Sequence, residues 1–288
     1  MPSLGAIADR VGPDDRAALV AAGATALRIP ARWAVLQLRP GQWDGGALED
    51  LATEVTAARD TGLDPWLALL GRRVPGWFDD EGGFADPKTA ARWWPRFIDG
   101  LASELGDTVA GWFPMVNPTA FATEAFAERD PDVAMAGQRN LVAGWRDAWR
   151  ILRGGPPVAT ALALHPWDDT WVRALRTGEP QPNGLELEDL AGACDFLGGI
   201  VGVDHHTDID LPTERLVRLA AEGPERPLIV VATFGGANDD ERGTAADTLA
   251  GALRLVAADG VTVESVFADS LLADDGAPSP AADQLRLR

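Results

Sequence analysis

The chain contains no tyrosine, one cysteine, three histidines and, among its 25 basic residues, one lysine, Lys88. Each scarcity excludes something. A single thiol, Cys194, closes no internal disulfide and builds no thiolate metal cluster, and its setting, AGACDFLG, reads as that of a buried small residue. No apolar run approaches the roughly 20 residues that a bilayer span needs, so no membrane partner is expected. The first residues, MPSLGAIADRVGPDD, carry neither a basic leader nor an apolar signal core, and the expectation is a soluble, cytoplasmic protein. Basic runs are lacking too. The 25 Lys and Arg oppose 44 Asp and Glu for a net charge of −19, which repels phosphate backbones and argues against nucleic acid as a partner.

What the chain does hold is 46% hydrophobic residues in 288, ample material for a core. Short aliphatic runs alternate with longer amphipathic ones. Strands are expected at 3–8, 25–30, 64–70, 108–116, 157–164, 195–203, 227–233 and 261–268. Helices are expected at 13–22, 46–61, 87–105, 132–153, 212–222 and 239–258, with a broken helical region at 168–192. Asp86-Pro87 is a start signal for one of them, because proline at the first helical position lacks only an N–H that would have had no partner there. Eight strand-helix units joined by right-handed crossovers close most naturally into an α/β fold, a single (β/α)8 TIM barrel spanning 1–288, with 274–288 as a C-terminal tail. A doubly wound open sheet would want a glycine-rich phosphate turn after the first strand, and ADRVGPDDR offers none.

Barrel chemistry sits where strands end, so the strand tips supply the candidate residues. They are Asp9, Arg28, Arg32, Gly71 to Arg73, Asn117, His165 to Asp169, Asp204 to His206, Thr233 and Asp269, and all three histidines fall among them. Histidine suits proton transfer near neutral pH. Asp204-His205-His206 therefore reads either as a carboxylate-oriented imidazole, with His206 directed inward, or as a pair of surface-loop histidines. His165, Asp168, Asp169 and His206 could in principle ligate a metal, but no His-x-His or His-x-x-x-His spacing supports it, and neither metal nor cofactor is expected. Trp167 and Trp171 are candidates to line an apolar pocket, whereas Trp33, Trp77 and Trp112 read as packing. The acidic run Asn238-Asp239-Asp240-Glu241 reads as a helix start, where negative charge is favourable.

A resemblance emerges from the motifs taken together. Leu27-Arg28-Ile29 with Trp33, the turn Pro40-Gly41-Gln42-Trp43-Asp44, Gly71 with Pro75, Gly82-Gly83-Phe84, and Trp112 before Val116-Asn117-Pro118 follow one another in order. Later come DFLG…GVDHHT, PLIVVATFGG and VFADSLLADD. This series resembles glycoside hydrolase family 1, the β-glucosidase-like retaining barrels, over most of the chain, although this chain is much shorter. Retaining hydrolysis needs two carboxylates roughly 5 Å apart. Aligned on the family without gaps, its acid/base position holds Asn117 and its nucleophile position Ala232. The family's sugar-binding histidine becomes Gly71, its arginine survives as Arg28, and the tyrosine that faces the nucleophile becomes His206.

The resemblance thus implies a shortened family 1 framework without both catalytic glutamates, and not a retaining β-glycosidase of the usual mechanism. The leading expectation is a repurposed enzyme (isomerase, lyase or cyclase) doing acid/base chemistry on a small, largely apolar metabolite, plausibly of bacterial secondary metabolism. Its expected catalytic residues are His206, Asp204 and His165; Arg28, Asn117, Arg72, Trp167 and Asp269 would bind substrate. Two alternatives stand beside it: a noncatalytic pseudo-glycosidase that binds a ligand or partner, and a hydrolase whose carboxylates have moved, for instance to Asp204 or Asp269. The oligomeric state stays open.

Overall fold

A computed structural model describes residues 2–8, 11–163, 176, 192–273 and 276–286. It is an eight-stranded parallel sheet curled into a (β/α)8 barrel, with neighbouring strands in the order 4-3-2-1-8-7-6-5. The strands are β1 (Ser3–Ile7), β2 (Ala26–Pro30), β3 (Asp64–Leu70), β4 (Gly111–Met115), β5 (Leu162–Ala163), β6 (Leu197–Val203), β7 (Leu228–Phe234) and β8 (Val263–Ala268). The described helices are α1 (Pro13–Ala21), α2 (Trp33–Leu36), α3 (Gly45–Asp60), α4 (Gly76–Asp80), α5 (Pro87–Leu105), α6 (Pro118–Ala125), α7 (Pro131–Leu152), α8 (Asp210–Glu222), α9 (Asp239–Ala258) and α10 (Pro280–Leu285), with a 3-10 turn at Gly83–Ala85.

The barrel closes between β4 and the segment leading into β5. There the Trp112 amide donates to Pro157 O at 2.9 Å, Ala159 N to Trp112 O at 2.8 Å and Asn117 N to Ala161 O at 2.8 Å. Among the described residues of the strand expected over 157–164, only Leu162–Ala163 is regular. Its neighbour explains why: Gly198 N donates to Thr160 Oγ1 at 2.6 Å, and that hydroxyl donates on to Gly198 O at 3.1 Å. A side chain replaces backbone in the ladder, and the regular pairing is interrupted.

Alternation along the strands separates two cores. Leu27, Ile29, Leu67, Leu69, Val201, Val203, Val230, Ala232 and Ala268 pack outward against the helices. Ala26, Trp66, Ala68, Phe113, Ile229, Val231 and Phe267 fill the barrel interior. Inside it, Trp66 lies 5.3 Å from Phe113, 5.6 Å from Phe267 and 6.1 Å from Phe196, ring centre to ring centre. Outside, Trp33 stacks on Phe97 at 4.8 Å and 18°, anchoring α2 to α5.

The helix starts follow the local chemistry. Asp86 accepts from Thr89 N at 2.7 Å, and Pro87 occupies the first turn of α5. Asn238 Oδ1 accepts from Glu241 N at 2.9 Å at the start of α9. Within the C-terminal segment Ser279 caps α10, whose Ala281, Ala282 and Leu285 are buried. Cys194 is fully buried, and burial pushes its thiol up to about 12, leaving it protonated and unreactive. No helix among the described residues is long and apolar enough to cross a membrane.

Candidate active site

At the barrel mouth the three adjacent tips of β6, β7 and β8 are tied in series by hydrogen bonds. Gly235 N, just past β7, donates to Val203 O on β6 at 2.8 Å. Phe234 N, at the end of β7, donates to Asp269 Oδ1 after β8 at 2.9 Å. On the inward side of the alternation, β6 presents Gly202 and β7 presents Thr233; the two are register partners, and both are exposed although they lie within strands. The mouth is open at their level.

Asp269 is the half-buried carboxyl of this mouth. Burial raises its pKa above the usual aspartate range, opposed by the bond from Phe234 N, by Ser270 and by the charges of Arg28 and Arg242. Ser270 follows in the left-handed region at φ 56°, turning the chain away directly after the carboxyl. Arg28 shares the inward face of β2 with Ala26, and its register partners are Ile7 on β1 and Trp66 on β3. The arginine thus places its charge inside the barrel wall, beside the aromatic floor.

In the histidine-bearing loop Asp204 Oδ1 accepts from the His206 amide at 3.0 Å and from Thr207 Oγ1 at 2.8 Å, closing a tight turn. Those donors, the Thr207 hydroxyl first, hold its carboxyl below the usual range. The carboxylate that does face an imidazole is Glu241, whose Oε2 lies 3.5 Å from His205 Nδ1. His205 and His206 lie ring against ring at 3.8 Å, and both residues are exposed. Glu241 escaped the sequence reading because its place, three residues after Asn238, is fully explained by capping; its approach to His205 depends on the β6 and β7 loops meeting.

Asn117 lies at the tip of β4 in the left-handed region, φ 51°, with its Oδ1 accepting from Ala120 N at 3.1 Å to cap α6. The tip residue therefore starts a helix that the strand-tip reading overlooked. Arg72 projects from the rim, 86% exposed, and pairs with Glu124 at 3.2 Å. Ala232 is fully buried in the outer layer; because alternate residues face opposite sides, the position that looks into the mouth at the end of β7 is Thr233. His165 and Trp167, with Asp9, Asp168, Asp169 and Trp171, lie outside the described residues. Among the described residues no group of three or more His, Cys, Asp or Glu is arranged to hold a metal ion. A separate concavity of about 570 Å³ lies between α1, the end of β2 and α3, bordered by Arg16 and Arg32 on one hand and Asp50 and Glu54 on the other.

No protein-family model matches the sequence, and no curated protein does. Solved structures do. The family 1 β-glucosidase of Thermotoga maritima superposes with a TM-score of 0.77 at 16% identity, covering 90% of this chain and 76% of that one. The β-glycosidase of Pyrococcus horikoshii gives 0.76 at 16% identity over 90% and 74%, and the AHE enzyme of Alicyclobacillus herbarius 0.75 at 15% over 90% and 77%. Fold and comparison together define a (β/α)8 barrel similar in fold to β-glucosidases. Within that class the likeness is to the family 1 β-glucosidases, in a shorter chain of 288 residues.

Proposed function

We propose that this chain is a cytoplasmic enzyme that uses the glycosidase-like barrel for acid/base chemistry, without a covalent glycosyl intermediate, on a small and largely apolar molecule. The observation that carries this reading is Asp269: a half-buried carboxyl at the mouth, raised above the usual aspartate range, with the charge of Arg28 acting on it. A half-buried carboxyl at the mouth, its pKa raised by burial, is placed to exchange a proton with a molecule held there. Arg28 would stabilise negative charge developing on a carbonyl or enolate oxygen, and the aromatic floor beside it favours an apolar substrate. His206, Asp204 and His165 remain proposed participants, and Asn117, Arg72 and Trp167 proposed substrate contacts. Isomerisation, elimination and cyclisation all fit this machinery.

A second reading, a barrel that binds a ligand without converting it, draws support from the β4 and β7 tips. They carry Asn117, engaged as a helix cap, and Thr233. The test is incubation of the protein with a small-molecule extract of its source organism, followed by mass spectrometry. A metabolite consumed by the wild type and spared about a hundredfold by Asp269→Asn supports the enzyme reading. Equal consumption by both overturns the role of Asp269. Calorimetric binding of an extract component with no product would select the binding reading. Release of nitrophenol from aryl β-glucosides, abolished by Asp204→Asn or Asp269→Asn, would select a hydrolase with displaced carboxylates.

A further inference from the structure

Away from the mouth, α5 carries Lys88, Arg92 and Arg96 at successive i, i+4 spacings, all exposed. Like charges so spaced destabilise a helix, and in a protein of net charge −19 such a cationic stripe stands out. Its central feature is Trp93. The Arg92 guanidinium lies 4.5 Å and that of Arg96 5.4 Å from the centre of the Trp93 ring. The indole is fixed: it is buried, its Nε1 donates to Glu81 Oε2 at 2.8 Å, and Trp77 meets it edge-on at 5.2 Å. The 39–42 turn rests against the same ring, since a Cβ on Gly41 would come within 3.1 Å of Trp93 Cζ3, and this brings exposed Arg39 alongside. Glu81 is engaged by the indole, and Asp99 bounds the stripe one turn beyond Arg96.

A guanidinium laid on an aromatic face gives up that face only; its N–H edge keeps the fork geometry that receives a carboxylate with two hydrogen bonds. Stacking also removes part of the side-chain freedom that binding would otherwise have to freeze. We propose that this face is a docking site for an acidic polypeptide segment, whose Asp or Glu carboxylates are received by Arg92 and Arg96, with Lys88 and Arg39 flanking. At an ionic strength of about 0.15 M the Debye length is about 8 Å, so distant acids are screened while contact pairs persist.

The test is fluorescence anisotropy of the full chain with a labelled short peptide of alternating Asp and Glu. Saturable binding is expected, weakened by about tenfold or more when Arg92→Gln and Arg96→Gln remove the charge-assisted bonds. Glutamine keeps helix propensity, and circular dichroism checks that the variant is folded. Arg218→Gln, which removes an exposed cation from α8, should leave the affinity within about twofold of wild type, as surface pairs contribute little elsewhere. No binding by wild type, or equal weakening by Arg218→Gln, overturns the proposal. So does a self-association in sedimentation velocity that the double variant abolishes, or sedimentation with phosphatidylserine vesicles that it abolishes, because each assigns the face to a different occupant.

Discussion

The amide of Phe234 donates to Asp269 Oδ1 at 2.9 Å, so the carboxyl that ends β8 is held by the backbone of β7. This contact fixes one oxygen and sets the position of the other. An asparagine would keep the acceptor and lose the charge.

Asp269→Asn should therefore leave the tip geometry intact while changing both activity and pH response. Burial raises the carboxyl's folded pKa, so its contribution favours the folded state at low pH and is lost as pH rises through that raised value. The variant should match the wild type in thermal midpoint below the ordinary aspartate range and exceed it near neutrality, as scanning calorimetry across pH would record. Turnover should fall about a hundredfold in the same protein. A variant less stable than wild type at neutral pH would contradict this account of Asp269.

Asp204 has the opposite sign. Bonds from Thr207 and the His206 amide depress its pKa, so its contribution is present above the ordinary aspartate range and lost as pH falls through the depressed value. Asp204→Ala should abolish hydrogen-exchange protection of the His206 amide, and Asp204→Asn should largely retain it. Comparable protection in the alanine variant would mean that the turn does not depend on this side chain.

Two glycines of β6 should respond in opposite ways. A Cβ on Gly198 would lie 1.7 Å from the backbone oxygen of Thr160, at the irregular seam, whereas one on Gly202 meets nothing nearer than Thr233 Oγ1 at 3.6 Å. Gly198→Ala should fail to give soluble folded protein. Gly202→Val should fold with a thermal midpoint near that of wild type and yet lose turnover or ligand binding, since it fills the mouth. Retained function in Gly202→Val would move the site elsewhere.

Phe113, fully buried, meets Phe267 edge-on at 5.3 Å in the barrel interior. Phe113→Ala should cost about 3–5 kcal/mol in urea denaturation, the usual range for truncating a buried aromatic. A loss below about 1 kcal/mol would mean that the interior collapses around the gap.

The barrel itself was legible from order and alternation. The strand over 64–70 and the helices over 87–105 and 239–258 have their expected limits, because capping residues such as Asp86 and Asn238 mark them locally. The shorter helices were not. α6 begins at Asn117-Pro118, a cap followed by a first-turn proline, but Asn117 also ends a strand, and the strand-tip reading took precedence. Sidedness at the mouth was less accessible still. A gap-free alignment set Ala232 at the family's nucleophile position, while the alternation anchored by Ile229 and Val231 turns Thr233 inward. That Glu241 faces His205, and that Asp204 spends its oxygen on a backbone amide, depends on loops distant in sequence meeting over the sheet.

Trp66, Phe113 and Phe267 are packed together across the barrel axis, each 8% exposed or less. Traffic through the axis is thereby stopped at that depth. On the proposed enzyme reading, a molecule admitted at the Gly202 and Thr233 level finds no way onward through this aromatic plug, so reactant and product would share the mouth, and departure of the product would gate the next arrival.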